Sequence, residues 1–137
     1  MQHDIQQANN LDNSRCIEWA TQLTKALGAV QKTTLQLGGD LAANKVEETL
    51  ANATCYMNAV GKVVVAWLWL RQSISAEKGL ERLNNSTETN AEEQNFYLGK
   101  LQAAQYFFNW ELSTIKADLA ILDHRDDTCL TMKSEWF

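Results

Sequence analysis

The chain has 137 residues, enough for one domain's core, and its 45% hydrophobic and 21% charged residues are the balance of an ordinary globular protein. It contains no proline, where average usage would supply about seven, so long uninterrupted helices are favoured over a loop-rich β fold. A net charge of −5 argues against a nucleic-acid or anionic-membrane surface, both of which need a basic patch.

The first periodic segment spans about 12–37. Ala20, Leu23, Leu27, Val30, Thr34 and Leu37 recur at alternating intervals of three and four, the stripe of a helix that packs against another helix. Gly38-Gly39 can supply the left-handed residue that ends a helix. Asp40 then stands where an N-cap carboxylate would accept from the amides of the next turn. So short a link requires the next helix to run antiparallel.

The second segment spans about 41–83. Val46, Leu50, Ala53, Met57, Val60, Val64 and Trp67 continue the alternation of three and four. Residues 63–70 (Val-Val-Val-Ala-Trp-Leu-Trp-Leu) are apolar on every side, and their valines would also suit a buried strand. A helix is preferred because the stripe crosses them without a phase break. At ~1.5 Å per residue it would be ~65 Å long, and a bend near Gly61 is expected.

Residues 84–88 are polar throughout and form the second loop, after which Thr89-Asn90-Ala91-Glu92 has the Thr-x-x-Glu form of a capping box. The third segment, about 90–122, carries Tyr97, Leu101, Ala104, Phe108, Leu112, Ile115, Leu119 and Leu122 at intervals of 4, 3, 4, 4, 3, 4 and 3. Asp123-His124-Arg125-Asp126-Asp127 ends it, and a short tail closes on Glu135-Trp136-Phe137. The expected fold is all-α: one domain, 1–137, built as an up-down bundle of three long antiparallel helices, with a short C-terminal helix as an optional fourth. Pairing about the second loop sets Trp67 beside Tyr106 and Val64 beside Phe108. An aromatic cluster of Trp67, Tyr106, Phe107 or Phe108, and Trp110 is therefore expected at mid-bundle.

Site chemistry is sparse. The six dispersed glycines assemble neither GxGxxG nor GxxxxGK[ST]. A di-iron bundle needs Glu-x-x-His on two helices, and neither His3 nor His124 follows a glutamate at that spacing. Asp123, His124, Asp126 and Asp127 could catch a divalent cation, but ligands normally converge from several elements, and a solvated helix end is the simpler reading. Cys129 and His124 could form a nucleophilic pair, yet no glycine-rich elbow or oxyanion-hole signature accompanies them. Cys16 and Cys55 lie on stripes or their margins as small hydrophobes, and Glu47-Glu48 and Glu92-Glu93 diverge on a helix. No catalytic, cofactor-binding or metal-ligating residue is assigned.

Three widely spaced cysteines suit free thiols in a reducing cytosol, so a cytoplasmic location is expected. The first ten residues lack the basic and apolar regions of a secretory signal. The apolar run of 63–70 falls short of the ~20 residues of a membrane span, so neither a membrane nor a nucleic acid is expected as a partner. Arg71 follows that run directly. Its planar fork could hold an acidic partner or a phosphate; the preferred reading is that its stem covers apolar surface while its head reaches water or a carboxylate. The first helix is ~25 Å shorter than the second at ~1.5 Å per residue, which leaves positions beyond about 66 without it alongside. Val65, Leu68, Trp69 and Arg71 therefore form a candidate docking surface; the alternative, that residues 2–10 extend the first helix and cover them, is disfavoured because that segment is mostly polar and offers only Ile5 and Ala8.

One resemblance reaches function. Ala51-Asn52-Ala53 and Tyr56 are followed by Gly61-x-Val63-Val64-x-Ala66-Trp67-x-Trp69-Leu70-Arg71-Gln72 and Ala76. Phe96-Tyr97-x-Gly99-Lys100-Leu101 and Ala103-Ala104-x-Tyr106-Phe107-Phe108 come next. In this order they resemble the extra C-terminal helical domain of the long acyl-CoA dehydrogenases, the group that includes methylmercaptopropionyl-CoA dehydrogenase. The likeness runs from about residue 20 to the closing Glu-Trp-Phe. It implies a flavoprotein oxidoreductase of fatty-acid metabolism whose FAD takes up a hydride as a proton leaves the neighbouring carbon of an acyl-CoA. The catalytic glutamate and flavin contacts of that family belong to a core preceding this domain, so no FAD is expected in this chain. By resemblance the chain is the C-terminal part of a larger flavoenzyme, inactive alone, with the dehydrogenase core as its partner and self-association where that core is missing. The alternative is a free-standing helical adaptor or oligomerisation module with no flavoenzyme partner.

Overall fold

The structure, a computed structural model, describes residues 1–11, 13–86 and 90–137, and among them there is no strand. The elements are α1 (Gln2–Asn9), α2 (Ser14–Ala42), α3 (Val46–Leu50), α4 (Ala53–Asn84) and α5 (Ala91–Tyr106). A π turn (Phe107–Glu111) and a 3-10 turn (Leu112–Thr114) lead into α6 (Ile115–His124), followed by α7 (Thr128–Thr131) and a 3-10 turn (Ser134–Trp136). The all-α expectation holds, with α2, α4, α5 and α6 as four main helices instead of three. The short C-terminal helix is α7.

Boundaries differ from expectation for identifiable reasons. Helix α2 starts at Ser14 because the Asn13 side chain accepts from the amides of Arg15 (3.0 Å) and Cys16 (3.2 Å). It does not end at Gly38-Gly39. No described glycine has positive φ, the helical bond from Ala43 N to Gly39 O is intact at 3.0 Å, and the chain reverses at Asn44 with φ 64°. Glycine permits the left-handed conformation without imposing it, and asparagine tolerates it nearly as well. Asp40 is thus no N-cap: it lies inside α2, and its carboxylate accepts from Arg125 Nε at 2.6 Å. The second expected helix is divided at Ala51-Asn52 into α3 and α4, and Gly61 sits within unbroken α4. At the start of α5 the Asn90 side chain accepts from Glu93 N at 3.1 Å, while Thr89 of the expected capping box lies outside the described residues.

The buried faces show where periodicity is decisive. Leu101, Ala104, Phe108, Leu112, Ile115, Leu119 and Leu122 are all buried, as their spacing predicts, and Tyr97 packs half-buried against them. The two consecutive intervals of four flank Phe108 and coincide with the π turn, whose wider turn keeps Leu112 on the inner face. In α2 the buried set is Cys16, Trp19, Ala20, Leu23, Ala26, Val30 and Thr33, with Leu27 and Leu37 half-buried. Over α3 and α4 the expected stripe is out of phase, with only Val60 and Trp67 of its members packing half-buried against the core. The core positions are Ala59, Val63, Ala66, Leu70, Ser73 and Ile74, whereas Leu50 is 57% and Met57 65% exposed, with Val46 and Val64 also outside. An apolar run on all sides satisfies several phases equally. The phase adopted puts Ala59, Ala66 and Ser73 inward, where small side chains let neighbouring helices approach.

The aromatic cluster is also different. Phe108 stacks on Trp19 of α2 (centroids 5.5 Å apart, planes 7° apart), while Tyr106 and Trp110 stack on each other at 6.4 Å in solvent-exposed positions. Trp67 turns to α1, donating from Nε1 to Asp4 Oδ2 at 2.8 Å. The pairing of α4 with the third segment is antiparallel as expected, but displaced by a few residues: Lys62 meets Thr114, and Arg82 meets Glu93. Along the other flank, Tyr56 hydrogen-bonds Thr34 and Arg15 reaches Glu77 at 3.6 Å, so α2 accompanies α4 well beyond residue 66.

Candidate functional surfaces around α4

Helix α4 carries a second apolar stripe that faces outward. Met57, Val64, Val65 and Leu68 lie along it, the last three being 40%, 39% and 40% exposed, and Val46 and Leu50 of α3 precede it. With apolar residues on both the core and the outer face, α4 is the one described helix long and apolar enough, by length and composition, to cross a bilayer. The eight-residue run considered from sequence understates this, because small and weakly polar residues extend the apolar stretch on either side.

The four expected docking residues divide between two environments. Val65 and Leu68 are outward, as anticipated, although not because α2 falls short. Trp69 is half-buried, with Lys100 Nζ 5.8 Å from its ring centroid. Arg71 lies over the Trp67 ring (5.5 Å) with Nε 3.8 Å from Asp4 Oδ1, so its stem covers an aromatic face while its head nears a carboxylate. The polar N-terminal segment is what changes the picture. It forms α1, buries Ala8, and brings Asp4 to Trp67, to the N-terminal amine (3.3 Å) and to Arg71. The Trp67 N–H bond, foremost, holds the Asp4 carboxyl below its usual range, with the N-terminus and Arg71 adding to it. Nothing local in the first ten residues signals this contact, which joins positions 63 residues apart.

Between α1, α4 and α5 lies an open groove of about 600 Å³. Leu68 and Phe96 contribute apolar wall, and Arg71, Lys78 and Lys100 contribute positive charge, with Asp4 the sole carboxylate of the lining. Lys100 is held by aromatic faces, 5.4 Å from Phe96 as well as 5.8 Å from Trp69. Among the described residues neither Lys78 nor Lys100 pairs with a carboxylate. A smaller groove of about 330 Å³ opens between α2 and the segment from the π turn into α6; Ala26, Ala29, Phe108, Leu112 and Leu119 line it, together with Lys25 and Lys116. Neither groove presents the glycine-rich turn at a helix N-terminus that holds a dinucleotide's pyrophosphate in Rossmann-type sites.

The remaining candidates lie outside these two grooves. No three metal-ligating side chains converge among the described residues. The acidic turn ties the bundle's end together. Asp123 accepts from buried Thr33 Oγ1 at 2.8 Å and pairs with Lys32 at 3.6 Å, Arg125 caps α6 in the left-handed conformation while binding Asp40, and Asn52 donates to the Asp126 carbonyl at 2.6 Å. Asp126 also accepts from Thr128 N at 3.2 Å, which orients the short tail helix. Cys129 is exposed and Cys55 half-buried; Cys16 is fully buried, and burial together with nearby Glu77 pushes its thiol up to about 11. Glu47 and Glu48 sit in the first turn of α3, and Glu92 and Glu93 in that of α5, where carboxylates favour the helix dipole. Glu93 additionally accepts from Tyr97 OH at 2.9 Å and pairs with Arg82.

No curated protein matches the chain. A family match does exist, and it spans residues 1–133, taking in α1 and the whole bundle. On that extent of agreement, the chain belongs to the acetyl-CoA dehydrogenase C-terminal-like family.

Proposed function

We propose that the chain is a non-catalytic accessory domain of an FAD-dependent acyl-CoA dehydrogenase, of the long type that resembles methylmercaptopropionyl-CoA dehydrogenase, and that it works in the cytoplasm docked on the dehydrogenase core. The family match over residues 1–133 carries this reading. In it, α,β-dehydrogenation of the acyl-CoA belongs to the flavin and glutamate of the core, and this chain supplies a helical surface. The outward stripe of Met57, Val64, Val65 and Leu68 is the face assigned to the core, because a helix that has already buried one apolar side gains from covering the other. Trp69 and Arg71, tied to Lys100 and Asp4, serve to hold α4 against α5 and α1.

Co-expression with the dehydrogenase core tests the reading. The expected result is one complex on gel filtration whose flavin absorbance co-elutes with both components, whereas the chain purified alone is colourless. Val64→Glu/Val65→Glu, on the stripe but outside the groove lining, should release the chain from the core while the chain alone still melts cooperatively. Separate elution of unmodified chain and core, or a double variant that still co-elutes, would refute docking through this face. A chain that forms stable dimers and ignores the core would favour the free-standing module.

A further inference from the structure

We infer that the groove between α1, α4 and α5 is a binding site for a phosphate monoester carrying a planar or apolar body. The chain is acidic overall, yet this groove concentrates Arg71 and Lys78 from α4 and Lys100 from α5 around a space of about 600 Å³, within the usual range of small-molecule sites. Asp4 neutralises one of the three charges at most, and it does so loosely: its strong hydrogen bond goes to Trp67, and Arg71 Nε stands 3.8 Å away. Two positive charges therefore remain without a carboxylate among the described residues, and Lys100 is steadied by the Trp69 and Phe96 rings alone. A phosphate monoester at neutral pH carries close to two negative charges, which match that balance, and three acceptor oxygens for the N–H donors of the three cationic side chains. A carboxylate supplies one charge and two oxygens. Leu68 and the exposed Phe96 provide the wall against which the ester's body lies. The charge pattern, not the docking stripe, carries this inference, so it stands or falls independently of the core partner.

Calorimetric titration of the full chain with AMP tests it. Saturable binding is expected, weakening as salt is raised and falling at least about tenfold in Lys78→Gln/Lys100→Gln, the usual effect of losing charge-assisted bonds to phosphate. Lys25→Gln/Lys116→Gln, at the other groove, should bind like the wild type, and a cooperative thermal melt would verify that each variant is folded. Adenosine, which lacks the charge, and FAD, whose bridged pyrophosphate has no terminal monoester, should bind far more weakly than AMP, and inorganic phosphate, which lacks the body, should also be weaker. A free nucleotide and a coenzyme present the same chemistry: coenzyme A binding more tightly than both AMP and dephospho-coenzyme A identifies the coenzyme as the source, and AMP binding at least as well identifies a free nucleotide. Absence of saturation with AMP, an affinity untouched by the Lys78/Lys100 substitutions, or parity with adenosine or with inorganic phosphate overturns the assignment. None of these results affects the co-elution experiment, so failure of this site and failure of docking are separately visible.

Discussion

Replacing Gly79 by alanine would improve an isolated helix, and in this bundle it should do the opposite. Gly79 is buried on α4 facing Tyr97 of α5, and a Cβ at that position would stand 2.8 Å from Tyr97 Cε1 and closer still to Cε2 and Cζ. The ring cannot simply rotate aside, because its hydroxyl donates to Glu93, which also pairs with Arg82 of α4. Helix propensity favours alanine by ~1 kcal/mol. Side chains in direct contact couple by ~0.5–3 kcal/mol, and an overlap of this depth belongs in the upper half of that range, near ~2 kcal/mol. The net expectation for Gly79→Ala is a loss of ~1 kcal/mol, a fall of ~3 °C in melting temperature for a domain of this size. In a Tyr97→Ala background the overlap is gone, and the same substitution should stabilise by ~1 kcal/mol. Urea denaturation of the four proteins of the cycle measures both values. If Gly79→Ala stabilises the wild type and the Tyr97→Ala variant equally, the close approach of α4 and α5 at this point is wrong.

Three further outcomes are expected. Thr33→Val should cost ~1–2 kcal/mol in chemical denaturation, because it leaves Asp123 without a buried donor, whereas Thr33→Ser should recover most of the loss. Asp4 titrates below its ordinary value of 3.8 in the folded chain, so its contribution is present above that pH and is lost as pH falls through the lowered value; thermal melts of wild type and Asp4→Asn should converge in acid and separate near neutrality. Cys16, raised from 9.0 to about 11 by burial, favours the protonated thiol in the fold, so its share of stability is intact below pH 9.0 and declines between there and about 11. Cys16→Ser should flatten that alkaline decline, and in the wild type at pH 8 a disulfide-exchange reagent should label exposed Cys129 rapidly and leave Cys16 unlabelled until unfolding.

The helical class, the antiparallel order and the inner face of the third segment were all legible in the amino-acid sequence. The last is the clearest case: from Leu101 to Leu122 one side alone is consistently apolar, so the phase has a single solution, and even the paired intervals of four that accompany the π turn are visible in the spacing. Helix α4 offered no such restriction. With 63–70 apolar all round, a stripe through Val64 and one through Val63 are equally good locally, and only the neighbours α2, α5 and α6 select the phase with Ala59, Ala66 and Ser73 inside. Turn chemistry misled for a related reason: Gly38-Gly39 and Asn44 can both reverse the chain, and the later one is used in a helix whose extension past the glycines is tied to Arg125 through Asp40. The groove was the least accessible of all. Arg71 was conspicuous beside its apolar run, but Lys78 and Lys100 look like ordinary surface charges until α4 and α5 pair, and Asp4 enters only when a polar segment folds back to meet an indole N–H 63 residues away. Periodicity reports which residues can share a face of one helix, whereas charges contributed by different helices become neighbours only through tertiary packing, which is why the bundle was readable in the chain and its groove was not.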